Sequence, residues 1–217
     1  ADVLLLPDGD SLYAVRGATT QPVSSLDMTR PLATVSLEGA ERTLVSSDAA
    51  AAVDRALLTG AGLLAAEQVG VARWALETTV AYLKERRQFG RVVGGFQALK
   101  HRLADLYAQV EQADAAARYA AATLATDDPD APVAVHVAAS FCAETATHAA
   151  EEAIQLHGGI GMTWEHPAHL HLKRAKADEL LLGSPEAHRR ALAALVDLPA
   201  PPVVELVETP PADVEKE

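Results

Sequence analysis

The sequence predicts a mainly α protein, a bundle of long helices preceded by a fragment of β-structure. Three observations predict it. Alanine is abundant while aromatic residues make up only 4% of the chain, which favours close-packed helices over a sandwich of sheets. Over most of residues 48–198 apolar side chains recur at intervals of three and four, as the buried face of a helix requires. Residues 2–47 alternate and turn in short runs instead, as strands do.

The β text comes first. "VLLL", the turn "PDGD" and "SLYAV" read as a hairpin, because Asp-Gly favours the tight turns between antiparallel strands. A loop around Pro22 to Pro31 follows, and "ATVSLEG" reads as a third strand. Three strands in residues 1–47 are too few for an independent sheet, so they read as the C-terminal part of a larger β-domain. The chain opens in strand-like text, and the expectation is that something precedes residue 1.

From Ser47 the period changes. One helix is expected to run to "YLKERR", capped by Ser47 or Asp48. It carries Gly60, Gly62 and Gly70; glycine costs about 1 kcal/mol relative to alanine inside a helix, so all three point to close backbone contacts. The second helix has the clearest stripe: Phe96, Leu99, Leu103, Leu106, Val110, Ala113, Ala117, Ala120 and Leu124. "DDPDAP" stops and restarts the chain, a third helix covers Pro132 to His157, and shorter helices follow over 168–181 and 185–197. In "LLLGSPEAHRR", Gly183 ends the apolar run, Ser184 can cap and Pro185 suits the first helical position. Residues 48–198 thus form one helical-bundle domain, and the proline-rich acidic tail over 199–217 reads as disordered.

The formal net charge of -12 argues against nucleic acid or an anionic membrane as the main partner. No run approaches the length of a membrane span. A single cysteine, Cys142, excludes an internal disulfide framework and suits a cytoplasmic setting. It falls on an apolar helical face and reads as a core residue. His166, His169 and His171 with Glu165 invite a metal, but positions two apart on a helix diverge, and no metal site is expected.

Two stretches remain. "KERRQFG" places cations at a helix end with Gly90 as a left-handed cap, or else aims an arginine at a phosphate beside an aromatic ring. "QLHGGIGM" is a helix stop whose glycines permit close backbone approach to a ligand. It follows a helix, so it is not a dinucleotide fingerprint. In order and spacing, "RRQFG", "FQALKHRLAD", "QLHGGIGMTWEHPAHLHLKRAK" and "GSPEAHR" resemble the C-terminal domain of the flavin-dependent acyl-CoA dehydrogenases over roughly residues 50–197.

The resemblance implies FAD as cofactor, an acyl-CoA substrate and α,β-desaturation of its thioester. It implies that Arg86, Gln88 and Phe89 with Gly90, and Gln155, Gly158 and Gly159, reach the FAD of a neighbouring subunit, and that Ser184 and Glu186, in register with the family's Gly-Thr/Ser element, also bind the cofactor. It also implies a homo- or hetero-tetramer with a related acyl-CoA dehydrogenase chain. The usual catalytic glutamate falls on Leu182, and the base position of a second subgroup falls on Gly60. Neither can take a proton. Three explanations stay open: the chain is a base-less partner in a mixed oligomer, as in bacterial enzymes acting on steroid side-chain CoA esters; a carboxylate elsewhere serves, with Glu67, Asp54 and Glu179 as candidates; or the base lies in a preceding segment. A helical scaffold or adaptor that binds no flavin is the alternative from a different class.

Overall fold

The computed structural model describes residues 2–196. The expected tail over 199–217 lies outside them. Among the described residues no helix is long and apolar enough to cross a membrane.

The β region holds more strands than the sequence pattern suggests. β1 (Leu4–Asp8) and β2 (Ser11–Arg16) form the expected hairpin, and β5 (Glu41–Ser46) adds antiparallel to β2. β4 (Leu32–Ser36) is the expected third strand, but it pairs with β3 (Thr19–Val23), whose end lies inside the expected loop. Pro22 sits opposite Ala33 in that pair. An edge position tolerates the missing N–H, so proline does not exclude a strand there. β3 and β4 are exposed along their whole length.

α1 spans Ala50–Glu85, 36 residues, or about 54 Å at 1.5 Å per residue. Neither Ser47 nor Asp48 caps it. The cap position is Ala49, with no side-chain bond, and its N–H donates to the Asp10 carbonyl at 2.8 Å. The helix start is thus fixed by the hairpin turn. α1 ends at Glu85, two residues short of the expected end at Arg87, because Arg86 turns extended and leads into a short hairpin, β6 (Arg87–Gln88) with β7 (Arg91–Val92).

α2 (Gln97–Ala125) and α3 (Ala131–His157) follow, then α4 (Ala168–Leu180) and α5 (Pro185–Leu195). α3 is central, packed on the other four helices. The α2 stripe is the buried face: Leu106, Val110, Ala113, Ala117 and Ala120 are buried, with Leu103 and Leu124 at its margin. Alanines of α1, α2 and α3 meet in the interior, which lets the helix axes approach closely. Cys142 lies among them. Its thiol donates to the Ala113 carbonyl at 3.4 Å, and burial pushes its pKa up to about 12.

The glycines of α1 divide. A Cβ on Gly62 would lie 2.6 Å from Leu124, and one on Gly60 would lie 2.9 Å from Leu182. Gly70 is exposed, with nothing near its Cβ position, so the expected close contact is absent there.

Candidate functional site

The residues expected to meet a cofactor fall in three places. Arg86, Gln88, Gln155, Gly158 and Gly159 line one cleft of about 560 Å³, together with Tyr82, Arg102 and His157. The ends of α1 and α3 converge there. Phe89 stands apart at the tip of the β6–β7 hairpin, 89% exposed and edge-to-face with Phe96 at 6.1 Å. Ser184 and Glu186 lie at the start of α5 and do not line this cleft.

Local geometry explains the cleft. Phe89 (φ 53°) and Gly90 (φ 74°) are the two central residues of a tight hairpin turn in which both take positive φ. Gly90 is therefore a hairpin residue and not the helix cap that the sequence suggested. The turn reverses the chain after Arg86, and the Val93 N–H closes it on the Arg86 carbonyl at 2.8 Å. At the other wall α3 stops at Gly158, whose φ of 63° with ψ of −139° is open to glycine alone. Nothing lies within 4 Å of a Cβ position on Gly158 or Gly159, so their backbone is accessible.

Charge is distributed unevenly around this cleft. Arg102 is committed to Glu152 through two bonds of 2.9 and 2.5 Å. Arg86 has no ion-pair partner among the described residues. His157 is buried, stacks on Tyr82 and donates Nδ1–H to the Ala153 carbonyl at 2.6 Å. Its buried Nε2 has no partner. An unpaired guanidinium, two amides and open glycine backbone form a donor set suited to a phosphate-bearing ligand. A bound FAD fits these groups. His157 and Tyr82 were not singled out by sequence reasoning, although His157 lies inside "QLHGG".

The two positions without a base face each other. Leu182, at φ 61° in the α4–α5 turn, places Cδ1 2.9 Å from where a Cβ on Gly60 would sit. Two elements far apart in sequence thus meet at one spot that holds no carboxylate. Of the substitutes, Glu67 is engaged by two arginines: Arg30 at 2.7 and 2.8 Å and Arg174 at 2.5 Å. Glu179 accepts from Thr147 at 2.8 Å and from Lys176 at 3.2 Å. Asp54 is exposed, lining a separate pocket beside Leu182.

The Glu67 cluster is one the sequence did not reveal. Arg30 also pairs with buried Asp178, and Arg174 with Asp27, so the loop between β3 and β4 is tied to α1 and α4. Burial pushes Asp27 up, but hydrogen bonds from Thr29 and Arg174 outweigh it and hold its carboxyl below the usual range. Burial and the neighbouring Glu67 charge push Asp178 up, against the pull of Arg30.

At the α5 start, Ser184 accepts the Ala187 N–H at 3.3 Å and Pro185 follows it, as the sequence suggests. Backbone N–H and the Ser184 hydroxyl hold the Glu186 carboxyl below its usual range. The histidines are dispersed: His171 stacks on Trp74 at 3.5 Å, His169 meets Trp164, and His166 tilts against His157. Among the described residues no group of three or more His, Cys, Asp or Glu could hold a metal.

Comparison with known proteins identifies the family. Residues 50–196 match the family model for the acyl-CoA dehydrogenase C-terminal domain. The chain is 44% identical over 196 residues to the acyl-CoA dehydrogenase IpdE2 of Mycolicibacterium smegmatis, covering 90% of this chain and 59% of that protein. Among solved structures, the ChsE4–ChsE5 complex from Mycobacterium tuberculosis is 26% identical with a TM-score of 0.82, covering 92% of this chain and 57% of the other. A Tcur3481–Tcur3483 steroid ACAD is 25% identical with a TM-score of 0.75, covering 91% of this chain and 63% of that one. The chain belongs to the acyl-CoA dehydrogenase family and carries that family's C-terminal helical domain.

Proposed function

We propose that this chain is a subunit of an FAD-dependent acyl-CoA dehydrogenase that desaturates a CoA thioester between its α and β carbons. In this reading it is the partner lacking the usual catalytic glutamate, it works in a hetero-oligomer with a related chain, and the acyl group is steroid-derived. The observation that carries the reading is a contrast. Arg86, Gln88, Gln155, Gly158 and Gly159 share one open cleft, whereas Gly60 and Leu182 share a contact with no carboxylate.

Each of these residues has a defined task in the reading. Arg86 pairs with the pyrophosphate of a neighbouring subunit's cofactor, Gln88 and Gln155 offer amide hydrogen bonds, and Gly158 and Gly159 let the backbone come close. When bound, the flavin supplies the acceptor for a hydride. Leu182 and Gly60 contribute apolar contact but no proton acceptor, so the base belongs to the companion chain. The kinship to a steroid ACAD and to a two-chain complex supports both the substrate class and the mixed assembly.

Co-purification from the native host, followed by mass spectrometry and a flavin absorption spectrum, tests the reading. The expected result is a yellow complex containing a second acyl-CoA dehydrogenase chain. A colourless assembly would make the chain a helical scaffold, and a yellow homo-oligomer with full activity would restore the base to this chain.

A further inference from the structure

Phe96 heads the apolar stripe that runs along α2, yet among the described residues it belongs to neither cluster of the core. It occupies the cap position of α2 with an extended backbone, and its half-buried ring turns to the β6–β7 hairpin instead. The Arg91 guanidinium lies over the face of that ring, 3.8 Å from its centroid. Phe89 meets the ring edge to face, with the two planes at 87°. The tip of the hairpin and its return strand are thus both fastened to one side chain.

The hairpin needs such a fastening. Each of its strands is two residues long, and an isolated two-stranded ribbon is marginal in water. Phe89 also holds a φ of 53°, which a bulky side chain disfavours. Beyond the short ladder, the backbone closes the hairpin through the Val93 N–H on the Arg86 carbonyl. An edge-to-face aromatic contact and a cation over a ring together favour the fastened form by about tenfold.

This matters for the cleft. Arg86 leads into β6 and Gln88 lies in it, and both line the cleft opposite Gln155, Gly158 and Gly159. Phe96, Phe89 and Arg91 do not line it. Any effect of the ring on a ligand in the cleft therefore passes through Arg86 and Gln88. A ligand that binds only the fastened form has its apparent Kd raised in inverse proportion to the fraction of chains in that form.

We propose that Phe96 is a positioning residue: its ring clasps Phe89 and Arg91, fixes the hairpin, and thereby holds Arg86 and Gln88 in the wall of the cleft. The proposal rests on the reading of that cleft as an FAD site, but the clasp is measurable without FAD.

The test uses the full chain in the assembly it forms, with FAD as the probe. Phe96→Leu keeps an apolar side chain and removes the ring, whereas Phe96→Tyr keeps the ring. Hydrogen exchange of the Val93 amide reports the closing of the hairpin on Arg86, and that of the Val110 amide reports the buried part of α2. Phe96→Leu is expected to speed exchange at Val93 and to weaken FAD binding, each by about tenfold, with Val110 unchanged. Phe96→Tyr should restore both. On an Arg86→Ala background, Phe96→Leu should weaken FAD binding by clearly less than it does alone, because the two residues act through one contact. Unchanged exchange at Val93 would overturn the clasp, and equal loss of protection at Val110 would make Phe96 a packing residue. Faster exchange at Val93 with unchanged FAD affinity, where Arg86→Ala alone does lose FAD, would overturn the positioning role. Unchanged FAD affinity in Arg86→Ala would instead overturn the reading of the cleft, and the task of the clasp with it, while Val93 still reports the clasp itself.

Discussion

The Arg86 cleft and the Leu182 turn are both built where helices end, yet their side chains differ in kind. The cleft keeps what a phosphate-bearing ligand needs: an uncommitted guanidinium, two amides and glycine backbone that nothing covers. The turn keeps its backbone form, with Ser184 capping α5 and positive φ at Leu182 and Gly183, but the side chain at its centre is apolar and packs against Gly60. The difference teaches that a turn's backbone shape does not by itself fix its chemistry. Caps and turn conformations stabilise the fold, whereas a catalytic carboxylate beside apolar walls costs stability and persists only where it is used.

Four experiments bear on that contrast, from the largest expected effect to the smallest. Arg30→Ala should cost the most, about 2–3 kcal/mol of stability, because it leaves buried Asp178 without its cation; partial exposure of Arg30 keeps the loss below that of a wholly buried pair. Denaturant unfolding measures it. A loss close to zero would show that the cluster around Glu67 is not a structural tie, and Glu67 would again be available as a base.

Arg86→Ala sharpens the other side. Loss of a charge-assisted phosphate contact should weaken flavin binding by about 1.5–3 kcal/mol, or roughly ten- to a hundredfold, with little change in Tm. Flavin per protein and Tm are read on the same sample. Unchanged flavin would reduce Arg86 to a cation at a helix end.

Leu182→Glu sets a carboxyl against Gly60, and at a position 39% exposed and without a partner it should cost up to about 1 kcal/mol. The chain purified alone should still show little or no dehydrogenation of acyl-CoA with an artificial electron acceptor. Robust turnover would mean that the turn lacks only its base. Glu67→Gln in the complex should leave most activity intact, since its carboxylate is occupied by Arg30 and Arg174. Collapse of activity with FAD retained would make this chain a catalyst in its own right.

The ion-pair cluster also fixes a pH dependence. Asp27 has its folded pKa lowered, so its contribution to stability is present above the ordinary aspartate range and is lost as pH falls through the lower folded value. Asp178 is raised, so its contribution is present when it is protonated and is lost as pH rises through its folded value. Thermal scans from pH 3 upward should show the Asp27 loss vanish in Asp27→Asn.

The sequence by itself determined the helices. The α2 stripe from Leu99 to Leu124, the span of α3 from its proline start to Gly158, and the Ser184–Pro185 entry to α5 are local signals, because periodicity and caps act over a few residues. The elements "RRQFG" and "QLHGG" were legible as motifs for the same reason. Tertiary structure alone decided where those motifs meet and what surrounds them. The β3–β4 pairing across Pro22, the use of Gly90 in a hairpin, and the meeting of Gly60 with Leu182 depend on partners distant in the chain. So do the binding of Glu67 by Arg30 and Arg174 and the pairing of His136 with His188 across 52 positions. Such contacts leave no periodic trace, because a side chain's partner across the fold is set by how whole helices pack and not by its neighbours in sequence.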